Sequence, residues 1–457
     1  MTDQVKKLLN DSGLVRWSVL LLISVSMFAS YYFYDVFSAI KSTLQAETGM
    51  SNADYGAMYG AYSIMNAIGM AFIGGIILDK WGIRKTGSVF ISFLFFGTFV
   101  TAYGASSIFN EGGPGYGLFS SSLFLGDFSP TLKMMIVGRA IFGMGAETFY
   151  VGLNKIIAKW FKGHELAFAF AISLAFGRFG TAAAMIVSPR IVANAPVWDM
   201  AGWFGAMLAL IAFISFMVYL IFDVKFDRSV KSSADPGEPV EEFHLKDILA
   251  LAKNKSFIYI TFLCVTFYSA VFPFLGYTPD FLVNKFGFTE KLSGDITTIL
   301  PFGTIFFTPL FGWFTDNKGK SASVMILGSF ILILVFLVFT FTSITPYVPL
   351  FFLGVAFCLV PAAMWPAVAR IVQSNRLGTA YGIMFSIQNW GLMLFPWIIG
   401  LVLDYTNRGR PEGASLDYTY AVFMLAFLGV LGMIFALLLK REDKTSGFDL
   451  EKPNKEM

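Results

Sequence analysis

Charge is scarce in this sequence. Asp, Glu, Lys and Arg make up 14% of 457 residues, where a water-soluble domain carries about 25%. With 56% hydrophobic residues, that shortfall excludes a soluble globular chain and a nucleic-acid partner, and it points to a polytopic membrane protein. Cysteine is almost absent. Cys264 and Cys358 both lie in apolar runs with no neighbouring His, which leaves no disulfide framework and no metal spacing; both read as small core side chains. Histidine is equally rare: His164 and His244 fall in polar segments. No nucleophile–base set and no nucleotide-binding pattern accompanies them, so the chain reads as neither an enzyme nor a cofactor protein. No cleavable signal peptide is expected either, because the polar start MTDQVKKLLNDSGLVRW leads into an apolar run too long for an h-region.

What the chain has in abundance is apolar length. Twelve apolar segments occur, at 17–41, 54–78, 86–105, 131–154, 165–189, 201–222, 256–284, 291–315, 322–342, 347–369, 377–402 and 418–439. Each is near the roughly 20 residues that a membrane helix needs. The polar segment VKFDRSVKSSADPGEPVEEFHLKDILALAKNK separates six spans from six. Its first part reads as a linker, and its EEFHLKDILALAKN part as an amphipathic helix on the membrane surface. The expected division is an N-tail over 1–16, a first six-helix half over 17–222, a linker over 223–255, a second half over 256–439 and a C-tail over 440–457. Placing both termini in the cytoplasm puts 24 of the 33 Lys and Arg on that side. Seven fall outside (Lys41, Lys133, Arg190, Lys285, Lys291, Arg408 and Arg410), and Arg139 and Arg178 lie within spans. The positive-inside rule favours this orientation.

An internal repeat is visible. Gly75-Ile-Ile-Leu-Asp79-Lys80-Trp-Gly82-Ile-Arg84-Lys85 follows the second span, and Gly312-Trp-Phe-Thr-Asp316-Asn-Lys-Gly319-Lys320 follows the eighth. A second echo pairs Ala167-Phe168-Ala169 and Ser173 with Ala380-Tyr381-Gly382 and Ser386. Two halves related by duplication follow. In this frame Gly75 is expected to admit a close helix neighbour and Asp79 to accept hydrogen bonds at a helix N-terminus. Gly82 is expected to make a tight turn, with Arg84 holding the loop at the cytoplasmic face.

Charges inside the spans cost several kcal/mol unless paired, hydrated or useful. Arg139 and Glu147 are eight residues apart in span four, hence on nearly one helical face. Arg178 lies in span five and Asp35 toward the outer end of span one. Two ion pairs would neutralise the four, Asp35 with Arg139 and Glu147 with Arg178. Asp35 and Arg139 read as scaffold or outer gate. Glu147 and Arg178, both near the midplane, read as substrate contacts, because an Arg fork suits a carboxylate. Tyr31, Tyr34 and Tyr150 stand beside them in sequence. The second half offers no matching charge; its candidates are Tyr268, Tyr277, Trp365, Gln388, Asn389 and Trp390.

Together with Arg139-x-x-x-Gly143-x-Gly145, the repeated Gly-x-x-x-Asp-x-x-Gly frame resembles the signature loop and span-four arginine motif of the major facilitator superfamily. That resemblance implies two six-helix bundles around a cavity near the midplane, alternating access by rocking, and a gate-latch role for Asp79 and Asp316. Ser30-Tyr31-Tyr32-Phe33-Tyr34-Asp35 resembles a span-one stretch of the superfamily's lysosomal dipeptide transporter family and its prokaryotic relatives. The resemblance implies that Glu147 meets a peptide's α-ammonium and Arg178 its α-carboxylate. An organic-anion or sugar-acid carrier is the alternative, and a non-transporting receptor a remoter one. The drug-antiporter Gly-Pro motif and the span-two and span-eight arginines of nitrate carriers are both missing. Asp3 stands too far from Leu8-Leu9 for a sorting signal, and the sequons at Asn10 and Asn254 fall on the cytoplasmic side. A bacterial inner membrane and a monomer are therefore expected, with a small-molecule substrate and the lipid bilayer as partners. Glu147 or Asp35 would serve any proton coupling, and uniport is equally consistent.

Overall fold

The structure is a computed structural model that describes residues 9–161, 163–230, 250–373, 376–411 and 413–453. Every regular element among them is helical. The first half comprises α1 (Gly13–Asp35), α2 (Lys41–Thr48), α3 (Asn52–Gly60), α4 (Ile64–Ala67), α5 (Met70–Ala105), α6 (Ser107–Asn110), α7 (Tyr116–Ser121), α8 (Pro130–Phe161), α9 (Leu166–Asn194) and α10 (Met200–Val230). The second comprises α11 (Lys255–Phe286), α12 (Glu290–Thr297), α13 (Ile299–Lys318), α14 (Ser321–Phe341), α15 (Tyr347–Ile371), α16 (Leu377–Thr406) and α17 (Thr419–Ser446). Ten of these stretches are long and apolar enough to cross a membrane. The 32-residue α8 is long enough as well, but Lys133, Arg139, Glu147, Lys155 and Lys159 dilute its hydropathy.

The second span differs from the continuous helix expected over 54–78. It breaks into α3, a 3-10 turn at Ala61–Ser63, α4, and the start of α5; Gly69, at φ 93°, makes the last break. Helix α5 itself carries the end of that crossing and the whole of the next. Gly82, at φ 75° and ψ 169°, interrupts it. A Cβ on Gly97 would meet Phe142, and one on Gly143 would meet the carbonyl of Tyr62. Tyr62 and Gly97 thus pack at the same level of α8, so the chain reverses between them. Gly319, the counterpart of Gly82 in the repeat, has φ 69°. Both turns occupy the left-handed half of backbone space that favours glycine. The amphipathic helix expected at 241–254 lies mostly outside the described residues.

At the face opposite the chain termini the two halves are in tight contact. Gly56 and Gly60 of α3, and Gly400 of α16, let backbones touch: Cβ atoms there would lie 2.2 Å from Pro396 O, 2.2 Å from Met393 O and 2.1 Å from Asn52 O. This is the small-residue route to close helix packing. Polar clasps reinforce it. Asp404 accepts the backbone N–H groups of Asn52 and Ala53, at 3.0 and 2.8 Å, and so caps α3 from the other half. Glu290 accepts from the Thr43 amide and hydroxyl. Arg190 forms a forked pair with Asp295, both bonds 2.8 Å. Lys41, expected in an outer loop, is instead buried against Asp280 at 2.8 Å.

At the face that carries the termini each half is clamped internally. Arg84 reaches Asp223 at 2.7 Å and Asp227 at 2.5 Å, and Lys159 of α8 holds the same two carboxylates. The second half uses its own C-terminal segment. Leu450 is fully buried. Lys320 and Ser321 donate to the carbonyls of Glu451 and Leu450, and the Glu451 carboxylate caps α14 through Ser323. The segment expected as a C-tail over 440–457 begins with helix, since α17 runs to Ser446, and its described residues continue as a strap packed on α14 through Leu450 and Glu451.

Candidate functional site

Between the halves lies a cavity of about 1200 Å³. It extends from Asp35, Thr181 and Leu392 down to Asp79 and Gly378 near the termini-bearing face. Its first-half wall comes from α1, the start of α5, α8 and α9, with Tyr62 of the 3-10 turn; α1 and α9 pack closely, since a Cβ on Gly177 would stand 3.1 Å from the Tyr31 ring, and one on Gly180 2.3 Å from Phe28 O. These two glycines let the Tyr31 ring lie beside Arg178.

Glu147 and Arg178 both line this cavity. They do not form the ion pair considered from the sequence. Glu147 accepts a hydrogen bond from the Tyr62 hydroxyl at 2.7 Å. The Arg178 guanidinium lies over the rings of Tyr31 and Phe357, at 5.8 and 5.2 Å, and makes no salt bridge or hydrogen bond among the described residues. Tyr31 stacks on Tyr150 at 6.0 Å, and the Tyr150 hydroxyl shares a 2.5 Å hydrogen bond with Ser30. Tyr34 packs edge-on against Tyr62 at 4.7 Å. An acid and a cation thus face one space, held apart by aromatic rings rather than consumed by each other.

The pairing of Asp35 with Arg139 also needs correction. Asp35 accepts from Thr181 at 2.8 Å and Tyr59 at 3.2 Å, both hydroxyls. Arg139, with 0% exposure, donates to the backbone carbonyls of Tyr34 at 3.2 Å and Tyr59 at 3.5 Å. Its guanidinium lies over both their rings, 5.3 and 5.2 Å from the centroids. Carbonyl dipoles and ring faces meet the two terminal nitrogens, while the buried Nε has no hydrogen-bond partner among the described residues; Arg139 thereby ties α8 to α1 and α3. Asp35 stays on the cavity wall.

The second half contributes rings and amides. Trp365 donates its indole N–H to the Tyr268 hydroxyl at 3.1 Å, and Tyr381 donates to the Trp365 carbonyl at 3.0 Å. Tyr268 stacks on Phe272 at 5.6 Å. Gln388 and Asn389 reach the cavity deeper in; Gln388 accepts from the Cys264 thiol at 3.5 Å. Two candidates do not join them. Tyr277 is buried at the closed face, donating to Pro396 O and Asn52 O. Trp390, 55% exposed, donates to Ala67 O and borders a separate groove between α4 and α16.

At the mouth, Asp79 pairs with Lys155 of α8 at 2.7 Å, in place of a helix N-terminus. Gly75 faces open space: a Cβ there would have no neighbour within 4 Å, contrary to the close helix approach expected of it. Gly74 makes that approach, against Thr148. Asp316 sits at the end of α13. Sequence reasoning missed Tyr62, Thr181 and Phe357. Tyr62 carried a signal, since a phenol at mid-span depth requires a polar partner.

The Major Facilitator Superfamily profile matches residues 20–294 and 274–456. The human lysosomal dipeptide transporter MFSD1 is 29% identical over 404 residues, covering 86% of this chain and 81% of that one. A hexuronate transporter of Bacillus subtilis is 22% identical over 463 residues, covering 95% and 97%. Among solved structures, a mutant of the nucleoside transporter NupG superposes with a TM-score of 0.69 at 16% identity, covering 92% of this chain and 99% of that one. At that identity it bears on the fold alone.

Proposed function

The chain belongs to the Major Facilitator Superfamily, and from that premise we propose that the solute it moves by alternating access is a dipeptide, gripped by its two charged ends. The observation that carries this reading is the separation of Glu147 and Arg178 within one cavity. Glu147 keeps a Tyr62 hydroxyl as its partner and Arg178 keeps only ring faces, so each has charge to offer a ligand. A zwitterion answers both. Its α-ammonium meets Glu147, and its α-carboxylate takes the Arg178 fork, a charge-assisted contact about twice as strong as a neutral hydrogen bond. A simple carboxylate answers only Arg178 and leaves Glu147 facing its ligand without a cation. The similarity to dipeptide transporters supports the same choice.

In this reading both termini face the cytoplasm of a bacterial cell, and the structure is the inward-open state. Rocking the halves closes the mouth around Asp79 and opens the clasp at Lys41, Asp280 and Asp404. The Gly75 surface, open here, becomes the place where the second half docks. Asp35 and Glu147 are the carboxylates through which a proton gradient would act. Uptake of labelled dialanine into proteoliposomes tests the proposal. Glu147→Gln removes the counter-charge with little change in shape, so uptake is expected to fall at least about tenfold in protein that elutes as a single folded species. Unchanged uptake in that variant refutes the role given to Glu147.

A further inference from the structure

We infer that the aromatic wall of the second half is a side-chain pocket that takes the C-terminal residue of the dipeptide and favours an aromatic or large apolar one. The inference rests on the dipeptide reading above and adds an order to it: which residue of the ligand is read, and by what.

Arg178, the carboxylate grip, reaches across from α9 until its guanidinium is 5.2 Å from the Phe357 ring centroid. Phe357 packs edge-on against Phe272 at 5.3 Å and Tyr268 at 6.2 Å, and Trp365 and Tyr381 continue the surface. The residue that bears the α-carboxylate is therefore the one whose side chain lies against this wall. Glu147, which holds the other end, is surrounded by Tyr62 and Tyr150 of the first half.

Two polar handles of the wall are engaged within the protein: the Trp365 N–H is given to Tyr268 and the Tyr381 hydroxyl to Trp365 O. The Tyr268 hydroxyl accepts from Trp365 and keeps its own O–H. Apart from that hydroxyl the wall offers ring surface, which rewards apolar area and offset aromatic contact; the amides Gln388 and Asn389 line the cavity deeper in. Among the described residues, no Asp, Glu, Lys or Arg of the second half lines the cavity. An acidic side chain would meet the electron-rich faces of these rings with no cation other than Arg178, already occupied by the α-carboxylate.

Competition against labelled dialanine uptake, with the full-length protein in proteoliposomes, tests this. Unlabelled Ala-Phe is expected to half-inhibit at a concentration about tenfold or more below that of Ala-Ala. Phe-Ala is expected to stay within about threefold of Ala-Ala, and Ala-Glu to be weaker than either. In Trp365→Ala, and separately in Phe272→Leu, the ratio between Ala-Ala and Ala-Phe is expected to shrink to within about threefold. The second variant reads the same ratio should the first not fold. Equal potency of Ala-Phe and Ala-Ala overturns the pocket, as does equal potency of Phe-Ala and Ala-Phe, or an unaltered ratio in the folded variants. Inhibition without preference removes the pocket alone. A complete lack of inhibition by any dipeptide removes the dipeptide reading and the pocket with it.

Discussion

Replacing Asp280 by Asn should throw the protein out of the conformation described here, and the size of the effect follows from burial. Lys41 and Asp280 come from opposite halves, and their side chains are 0% and 3% exposed. Lys41 donates to Asp280 at 2.8 Å, and to Gln45 and Asn52 at 2.7 Å each. Asp280 also accepts from Ser42 and from Tyr418. Asn keeps the shape and removes the charge, leaving an ammonium buried without its counter-ion, a loss worth about 3–5 kcal/mol. Gln45, Asn52 and the Tyr55 and Tyr277 rings, 5.5 and 5.4 Å away, still solvate Lys41, so the lower end applies. The penalty exists only while this face is closed, since opening hydrates the lysine. At about 1.4 kcal/mol per tenfold, the balance moves by roughly 100-fold toward opening at this face. The assay is the labelling rate of a cysteine at Ser293, buried at the closed face with its hydroxyl unpaired, in protein lacking Cys264 and Cys358. Asp280→Asn should speed labelling by roughly 100-fold, and adding Lys41→Met should restore most of the original rate, because removing both charges is near neutral. A rate within about twofold of the parent in the single variant refutes the reasoning.

Two further predictions concern folding. Gly143→Ala places a methyl 1.9 Å from the carbonyl of Tyr62; since Tyr62 positions Glu147, dipeptide affinity should weaken together with a lower Tm, both measurable by thermal denaturation with and without ligand. Leu450→Ala empties a fully buried site beneath α14 and should cost about 2–3 kcal/mol, seen as a lower Tm, while the same change at the exposed Leu437 should leave Tm unaltered.

Much of the fold was legible because its causes are local. Apolar runs near 20 residues announce membrane helices, and the repeated glycine frame reappears as two positive-φ turns at Gly82 and Gly319. The candidate site was legible in its residues but not in its partners. Arg139 looked like half of an ion pair, because a search of the sequence for counter-charges finds carboxylates; backbone carbonyls such as those of Tyr34 and Tyr59, to which it donates instead, belong to every residue and leave no mark. Lys41 read as a loop cation, since nothing in its own segment tells that Asp280, 239 positions away, closes over it. Tyr277 and Trp390 misled in the opposite sense. Trp390 shares the depth of its cavity neighbours Gln388 and Asn389, but helix rotation turns it outward; Tyr277, nine residues beyond Tyr268, falls at the closed face instead.

The central claim is that one cavity reads both ends of a dipeptide. The most direct measurement is the thermal stability of the purified wild-type protein in the presence of dialanine, alanine, acetate or glucuronate, each at matched concentration. A ligand at 100 times its Kd adds about 2.7 kcal/mol to the folded state, so dialanine should raise Tm by a clear margin while the other three leave it unchanged, and Glu147→Gln should abolish the shift. Stabilisation by glucuronate or acetate with none from dipeptides contradicts the account and assigns the cavity to carboxylates held by Arg178 alone.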